Sequence, residues 1–270
     1  MCFAQIMKKN GEPVYMKIRC VWEHNQNDSI LYSVDYIGAY ARGENLETAL
    51  QKIPGEIGAY SAWSGAVTPE KTDAEDRQCA VYFGCMGAAE PEKKDIEIVQ
   101  EKMSELQICD ADSDVIFEEE QKPLTAEEYA RLKTLALKSA ADFLELYEAV
   151  PDKNKSALPP RKTFYGEIPR TAEEMYQHTK NVNNYYFGEI GIDVDNGGTI
   201  LECRERGFAR LEKTSDFLEN KVLCGSYEEE WSLRKVLRRF IWHDRIHGKA
   251  MYRMALKTFG EGSVPDIFKF

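Results

Sequence analysis

The chain has 270 residues, 43% of them hydrophobic and 11% aromatic, which is enough apolar material for one large domain or two ordinary ones. Its formal charge of −11 argues against a nucleic-acid backbone or an anionic membrane surface as the main partner. Seven scattered cysteines, odd in number and without a C-x-x-C pair, fit reduced thiols better than a disulfide framework. The opening MCFAQIMKKNGEP lacks the apolar run of a signal peptide and no stretch reaches the length of a membrane span, so the expected location is the cytoplasm.

Residues 14–23 alternate, with Val14, Met16, Ile18, Cys20 and Trp22 on one face and Lys17, Arg19 and Glu23 on the other, which predicts a half-buried strand. HNQNDS reads as a turn holding a solvated His24, and residues 30–40 as a second, antiparallel strand. Asn45 then caps a helix whose stripe is Leu46, Ala49, Leu50, Ile53, Ile57 and Tyr60; Pro54 inside it predicts a kink or short break. Residues 64–94 give little pattern, and QCAVYFGCMG within them reads as a strand or a packed loop. DIEIVQEK alternates again, and Val115-Ile116-Phe117 reads as a last short strand. The acidic run EEEQKP precedes a change of period, placing a domain boundary between 1–120 and 121–270.

From Thr125 onward the pattern is helical. Thr125 with Glu128 is a capping box opening a helix to Val150, with Tyr129, Leu132, Leu135, Ala136, Phe143 and Tyr147 on its apolar face. Thr171 with Glu174 opens a second helix to about Glu189, and a third is expected from Thr199 to Val222 on the spacing of Leu201, Arg204, Phe208, Leu211, Ser215, Leu218 and Val222. The fourth, residues 232–259, ends at Gly260. Four amphipathic helices in succession are the material of an up-down four-helix bundle.

Three of the four histidines occupy this half. His243 and His247 are one turn apart on a stripe with Val236, Phe240, Ala250 and Met254. His178 shares a stripe with Met175, Val182, Tyr185 and Glu189. Inward imidazoles at that spacing are either hydrogen-bonded core residues or ligands for zinc, nickel or iron. Glu174, one turn before His178, is a helix cap or an acid/base group beside such a site. Arg204 either meets an anionic group or snorkels to an edge, and Tyr185 and Tyr186 line a pocket or simply pack. Asp244 is expected in a surface ion pair, and Arg234, Lys235, Arg238 and Arg239 on a solvated helix face.

PRTAEEMYQHTKNVNNYYF around His178, the run from Trp231 to Arg238, and Trp242-His243-Asp244-Arg245-Ile246-His247 together resemble the DinB-like superfamily of four-helix bundles. That resemblance implies a divalent metal on His178, His243 and His247. It further implies a transferase or isomerase that uses a low-molecular-weight thiol such as mycothiol or bacillithiol on a small-molecule substrate, with hydrolysis as the nearest chemical neighbour and a homodimer as the family's analogy. IGAYARGENLETALQKIPGEIGAYSAW is similar to the HicB-like fold, an α+β module of antiparallel sheet and helix. The two modules occur joined in this order in bacterial proteins. Two other classes of function remain open: a non-catalytic, stress-associated metal- or ligand-binding protein, and an interaction protein that binds a partner through its N-terminal domain.

Overall fold

Strand β1 (Ile18–His24) pairs antiparallel with β2 (Ser29–Ser33), which pairs antiparallel with β3 (Tyr40–Gly43). Helix α1 (Leu46–Ser64) follows, and β4 (Ile96–Met103) lies parallel to β1, giving the sheet order β3-β2-β1-β4. The computed structural model describes residues 8–9, 12–13, 17–65, 92–163 and 166–270. Val14, Met16 and the QCAVYFGCMG stretch lie outside them. The described chain divides into two compact units, Met1–Ser113 and Asp114–Phe268.

The first unit is α+β, as the sequence implies, but its sheet is mixed and not antiparallel throughout. A strand that returns parallel needs a crossover, and α1 lies in the connection from β3 to β4. The expected 30–40 strand is two strands. Between them Gly38 takes φ 92°, and Tyr36 N–H donates to Ser33 Oγ at 3.0 Å. Pairing between β1 and β4 skips Val99 of β4 while β1 stays in register with β2, and both faces of β1 are covered, so the expected one-sided alternation does not hold. Val21 and Glu23 turn inward, Glu23 being fully buried where its carboxylate accepts from Ser113 Oγ at 2.6 Å and Tyr32 Oη at 3.2 Å. His24 is no solvated turn residue: it ends β1, stacks on Trp22 at 3.9 Å and bonds Glu101 at 2.9 Å. Asn45 Oδ1 accepts from Thr48 N–H at 2.9 Å, capping α1, which continues through Pro54 without interruption.

The second unit opens on residues 114–125. Val115, Ile116 and Phe117 are buried but form no strand; a short 3-10 turn, Glu118–Gln121, follows them. Four helices come next: α2 (Ala126–Ala149), α3 (Ala172–Gly188), α4 (Ile200–Leu211) and α5 (Leu233–Phe259). Reciprocal Thr–Glu boxes start α2, α3 and α4, with backbone-to-side-chain distances of 2.8–3.2 Å, and Ser232 caps α5. Helix α4 stops at Leu211, well short of Val222. Thr214, Ser215 and Asp216 are poor helix formers, and Asp216 and Asn220 adopt φ of 60° and 54°. Asn220 Nδ2 then ties the loop to the carbonyls of Glu120 and Lys122 at 2.7 and 2.6 Å.

The helix directions do not alternate. Phe143 packs on Tyr176 while Tyr129 packs on Phe208, Tyr176 Oη accepts from Ile200 N–H, and Phe187 packs on Phe208. These pairings make α3 and α4 parallel to each other and antiparallel to α2. Glu128 pairs with Arg234 and Ser139 with Asp244, so α5 runs with α2. The order is therefore up, down, down, up. Residues 189–199 make the second "down" possible by running back along α3, where Asn184 N–H donates to Asn196 Oδ1 and Asn196 Nδ2 to Asn181 O. Extended, such a linker reaches roughly 36 Å, against about 25 Å for a helix of 17 residues.

The cationic run at the start of α5 is not a solvated face. Lys235 and Arg238 are fully buried and Arg239 is 8% exposed. Buried charges need partners. Arg238 pairs with Glu120, donates to Val115 O at 2.9 Å and covers the Phe117 ring at 4.0 Å. Lys235 meets Glu229 at 2.8 Å and the carbonyls of Asp114 and Glu230. Arg234 reaches Glu128 and the carbonyls of Lys122 and Pro123. The run thus clamps residues 114–128 onto α5. No described helix is long and apolar enough to cross a membrane.

Candidate metal centre

Helix α5 carries His243 and His247 at i and i+4, so one turn separates them on the same side. Their rings lie 4.4 Å apart, and His178 of α3 approaches them at 5.1 and 4.6 Å. One ligand nitrogen from each ring lies within 4.8 Å of the others. Among the described residues no other group of three or more His, Cys, Asp or Glu side chains is placed to hold an ion.

His243 forms the floor of the site at 8% exposure, His247 is half-buried, and His178 is exposed. The sequence places His178 on an inward stripe, but the buried face of α3 is rotated by one residue, through Met175, Thr179, Asn183, Tyr186 and Phe187. His178 therefore stands at the margin of that face, where it closes the triad from the solvent side. Tyr186 packs edge-on to His243 at 6.1 Å and to Phe240 at 5.3 Å, forming an aromatic wall beneath the imidazoles.

Two of the three imidazoles, His243 and His178, are shifted toward the neutral, ligand-competent form. Burial pushes His243 well below the usual imidazole range, and the charges of His247, His178, Arg239 and Arg204 add to that. His178 is also lowered, by desolvation among its neighbours. His243 Nδ1 is buried and has no hydrogen-bond partner among the described residues. An orphaned ring nitrogen is expensive to bury unless something accepts its lone pair or proton. Tetrahedral zinc with ligands at about 2.0–2.1 Å separates its nitrogens by about 3.3 Å, so a modest closing of the rings accommodates an ion. The donor set and its protonation fit a borderline divalent transition metal such as zinc, nickel or iron.

Asp244, next to His243, is not in a surface ion pair. It is fully buried, and its carboxylate accepts from Arg204 at 3.1 and 3.2 Å and from Ser139 Oγ at 2.5 Å. Burial raises the Asp244 carboxyl, against the pull of Arg204. Arg204 is likewise fully buried, donates to Ala136 O at 3.2 Å and lies 3.7 Å over the Phe240 ring. It neither snorkels nor faces the histidines; it joins α2, α4 and α5 at the level of the triad. Glu174 caps α3 through Arg170 N–H at 2.8 Å and Thr171 N–H at 3.0 Å, which holds its carboxyl below the ordinary value. Tyr185 packs on Trp231 at 5.8 Å, and desolvation raises its phenol.

Sequence reasoning overlooked Ser139 and the structural part played by Asp244. A charged residue beside an inward histidine, on a helix whose opposite face carries no other acid, is the signal that pointed to it. Arg239, one turn before His243 and expected on the solvated face, instead packs against Tyr186 and Trp242 at 5.7 and 5.0 Å. Compared with known proteins, the chain matches no family model, no curated protein and no solved structure. What stands is a sheet-plus-helix unit followed by a helical unit with a histidine triad.

Proposed function

We propose that the helical unit is a DinB-like four-helix bundle acting as a metal-dependent enzyme, with His178, His243 and His247 holding one divalent ion. The observation that carries this reading is the convergence of three imidazoles from two helices within 4.8 Å, unaccompanied by a carboxylate or thiolate among the described residues. Three protein ligands leave coordination positions free, the arrangement of catalytic and not of closed structural sites. A divalent ion supplies there a lowered pKa for a thiol or a water, making a nucleophile near neutral pH.

The chain's own residues do the positioning. The Asp244–Arg204–Ser139 network fixes the rotation of α5, and with it the direction of His243. Tyr186 and Phe240 exclude water from beneath the ring, while exposed His178 leaves the approach open on its own side. The reaction that fits best is transfer from a low-molecular-weight thiol to an electrophilic small molecule. The sheet unit, with no comparable cluster among its described residues, is assigned to packing or partner binding in the manner of a HicB-like module. The test is elemental analysis of protein purified without chelators or a histidine tag, beside its His243→Ala variant. About one equivalent of one metal, lost in the variant, is the expected result; no metal after reconstitution of the parent would sink the reading.

A further inference from the structure

The buried face of α3 carries two polar residues, Thr179 and Asn183, one turn apart and both without exposed surface. A helical threonine commonly returns its hydroxyl to the carbonyl four residues back, as Thr134 does to Ala130 O at 2.8 Å and Thr258 to Met254 O at 2.7 Å. Thr179 does not: its Oγ1 is buried and has no hydrogen-bond partner among the described residues. Asn183 gives Nδ2 to Cys203 O at 3.2 Å, and its Oδ1 is left in the same condition as Thr179 Oγ1. Arg204 Nε and His243 Nδ1 share it.

Hydrogen bonds and ring contacts close a circle around these four atoms. Asn183 bonds the residue before Arg204, and Arg204 reaches from α4 to Asp244 and Phe240 of α5. Asp244 adjoins His243, whose ring returns to α3 at His178, 5.1 Å away, and at Tyr186, 6.1 Å away. Thr179 follows His178, and Asn183 precedes Tyr186 by one turn. The four atoms therefore face one interior volume between α3, α4 and α5, behind the imidazoles and shut off from bulk solvent by Tyr186 and Phe240.

The chemistry of these atoms selects their partner. Arg204 Nε–H donates, Asn183 Oδ1 accepts, and the Thr179 hydroxyl does either. The Arg204 charge is already answered by Asp244 through both terminal nitrogens. A cation is repelled by the guanidinium, and an anion by the Asn183 carbonyl, with no spare charge to offset its burial. A small neutral molecule that both donates and accepts is water, which is held in protein interiors where two to four such groups converge.

We infer that bound internal water bridges His243 Nδ1–H to Asn183 Oδ1 and Thr179 Oγ1, making Asn183 and Thr179 positioning residues for a metal ligand. The inference rests on the metal reading above and deepens it. An imidazole that binds an ion through one nitrogen donates its other N–H to a partner that fixes tautomer and ring direction. Nδ1 is the enclosed nitrogen, so the ion takes Nε2.

Thr179→Val keeps the β-branched shape and removes only the hydroxyl, whereas Thr179→Ser retains it. Zinc affinity of the full-length proteins is measured by competition with a chelating indicator. Thr179→Val is expected to bind about tenfold more weakly, the low end of the loss when a ligand's own partner is removed, and Thr179→Ser to stay within about twofold of the parent. Metal-free melting temperatures close to the parent's certify the fold of both variants. A second measurement needs only the parent, loaded with zinc and carrying isotope-labelled histidine ring nitrogens, with the His243 signals assigned by their loss in His243→Ala. Nuclear magnetic resonance should show a protonated Nδ1, a zinc-bound Nε2 and cross-relaxation between Nδ1–H and water. Unchanged zinc affinity in Thr179→Val, a serine variant as weak as the valine one, a zinc-bound Nδ1, or an Nδ1–H without contact to water overturns the inference and leaves the metal reading standing. A parent that takes up no zinc defeats that reading and the positioning role with it.

Discussion

Replacing Asp244 by alanine tests whether the buried network behind His243 holds the helical unit together. Asp244 has no exposed surface and three side-chain hydrogen bonds, two of them to a guanidinium that is itself fully buried. Its removal strands the Arg204 charge with one carbonyl and the face of Phe240. Breaking one partner of a buried pair costs about 3–5 kcal/mol, whereas replacing both by apolar groups of similar volume is near neutral. The single variant should therefore lose about 3–5 kcal/mol, and Arg204→Met/Asp244→Leu should stay within about 2 kcal/mol of the parent. Urea unfolding of metal-free protein measures this. With Trp22 and Trp63 changed to phenylalanine, fluorescence reports only Trp231 and Trp242, both in the second unit. At a slope of about 2 kcal/mol per molar urea, the midpoint of Asp244→Ala falls by about 2 M. A loss under about 1 kcal/mol, or a double variant as unstable as the sum of its singles, would refute the reasoning.

Metal binding should stabilise the protein only through the triad: saturating zinc or cobalt at a hundred times its Kd adds about 2.7 kcal/mol, and a chelator removes it. His178→Ala, at an exposed position, should leave the metal-free Tm nearly unchanged yet abolish the metal-dependent rise; a lowered metal-free Tm with the rise intact would make His178 a packing residue. Lys235 is fully buried and burial pushes its ammonium down to about 8 from 10.5. Between pH 8 and 10.5 the unfolded chain binds a proton that the folded chain lacks, so stability rises with pH in that window by up to about 3 kcal/mol. Raised groups such as Cys20 act in the opposite sense over the same range, so the test is the difference in urea midpoint between parent and Lys235→Met, which should shift in the parent's favour from pH 8 to pH 10; parallel curves contradict it. Burial pushes the Cys20 thiol up to about 12, whereas Cys109 and Cys224 are exposed. Brief iodoacetamide treatment at pH 8 followed by peptide mass mapping should label those two and spare Cys20, and equal labelling would count against the buried placement of β1.

The parts of this protein that its sequence determined by itself are local ones. The box at 199/202 is found in the structure, but each Thr–Glu box at 125/128 and 171/174 joins a side chain to a backbone three residues away, so those two helix starts are legible before any packing is known. So is the pairing of His243 with His247, since an i, i+4 spacing on a helix places two rings together whatever surrounds them. The tertiary structure decided what depends on distant residues. His178 joins the triad from the exposed margin of α3, a placement that the stripe alone misjudged by one residue's rotation. The second downward helix exists because residues 189–199 run back along α3, which no periodicity encodes. Lys235, Arg238 and Asp244 look like surface charges until the Asp114 carbonyl, Glu120 and Arg204 arrive from elsewhere in the chain. Glu23 is likewise buried where Tyr32 and Ser113 bring hydroxyls to its carboxylate. In each case a charge could be buried because a partner far along the sequence offset its desolvation, and only the folded chain brings such partners together.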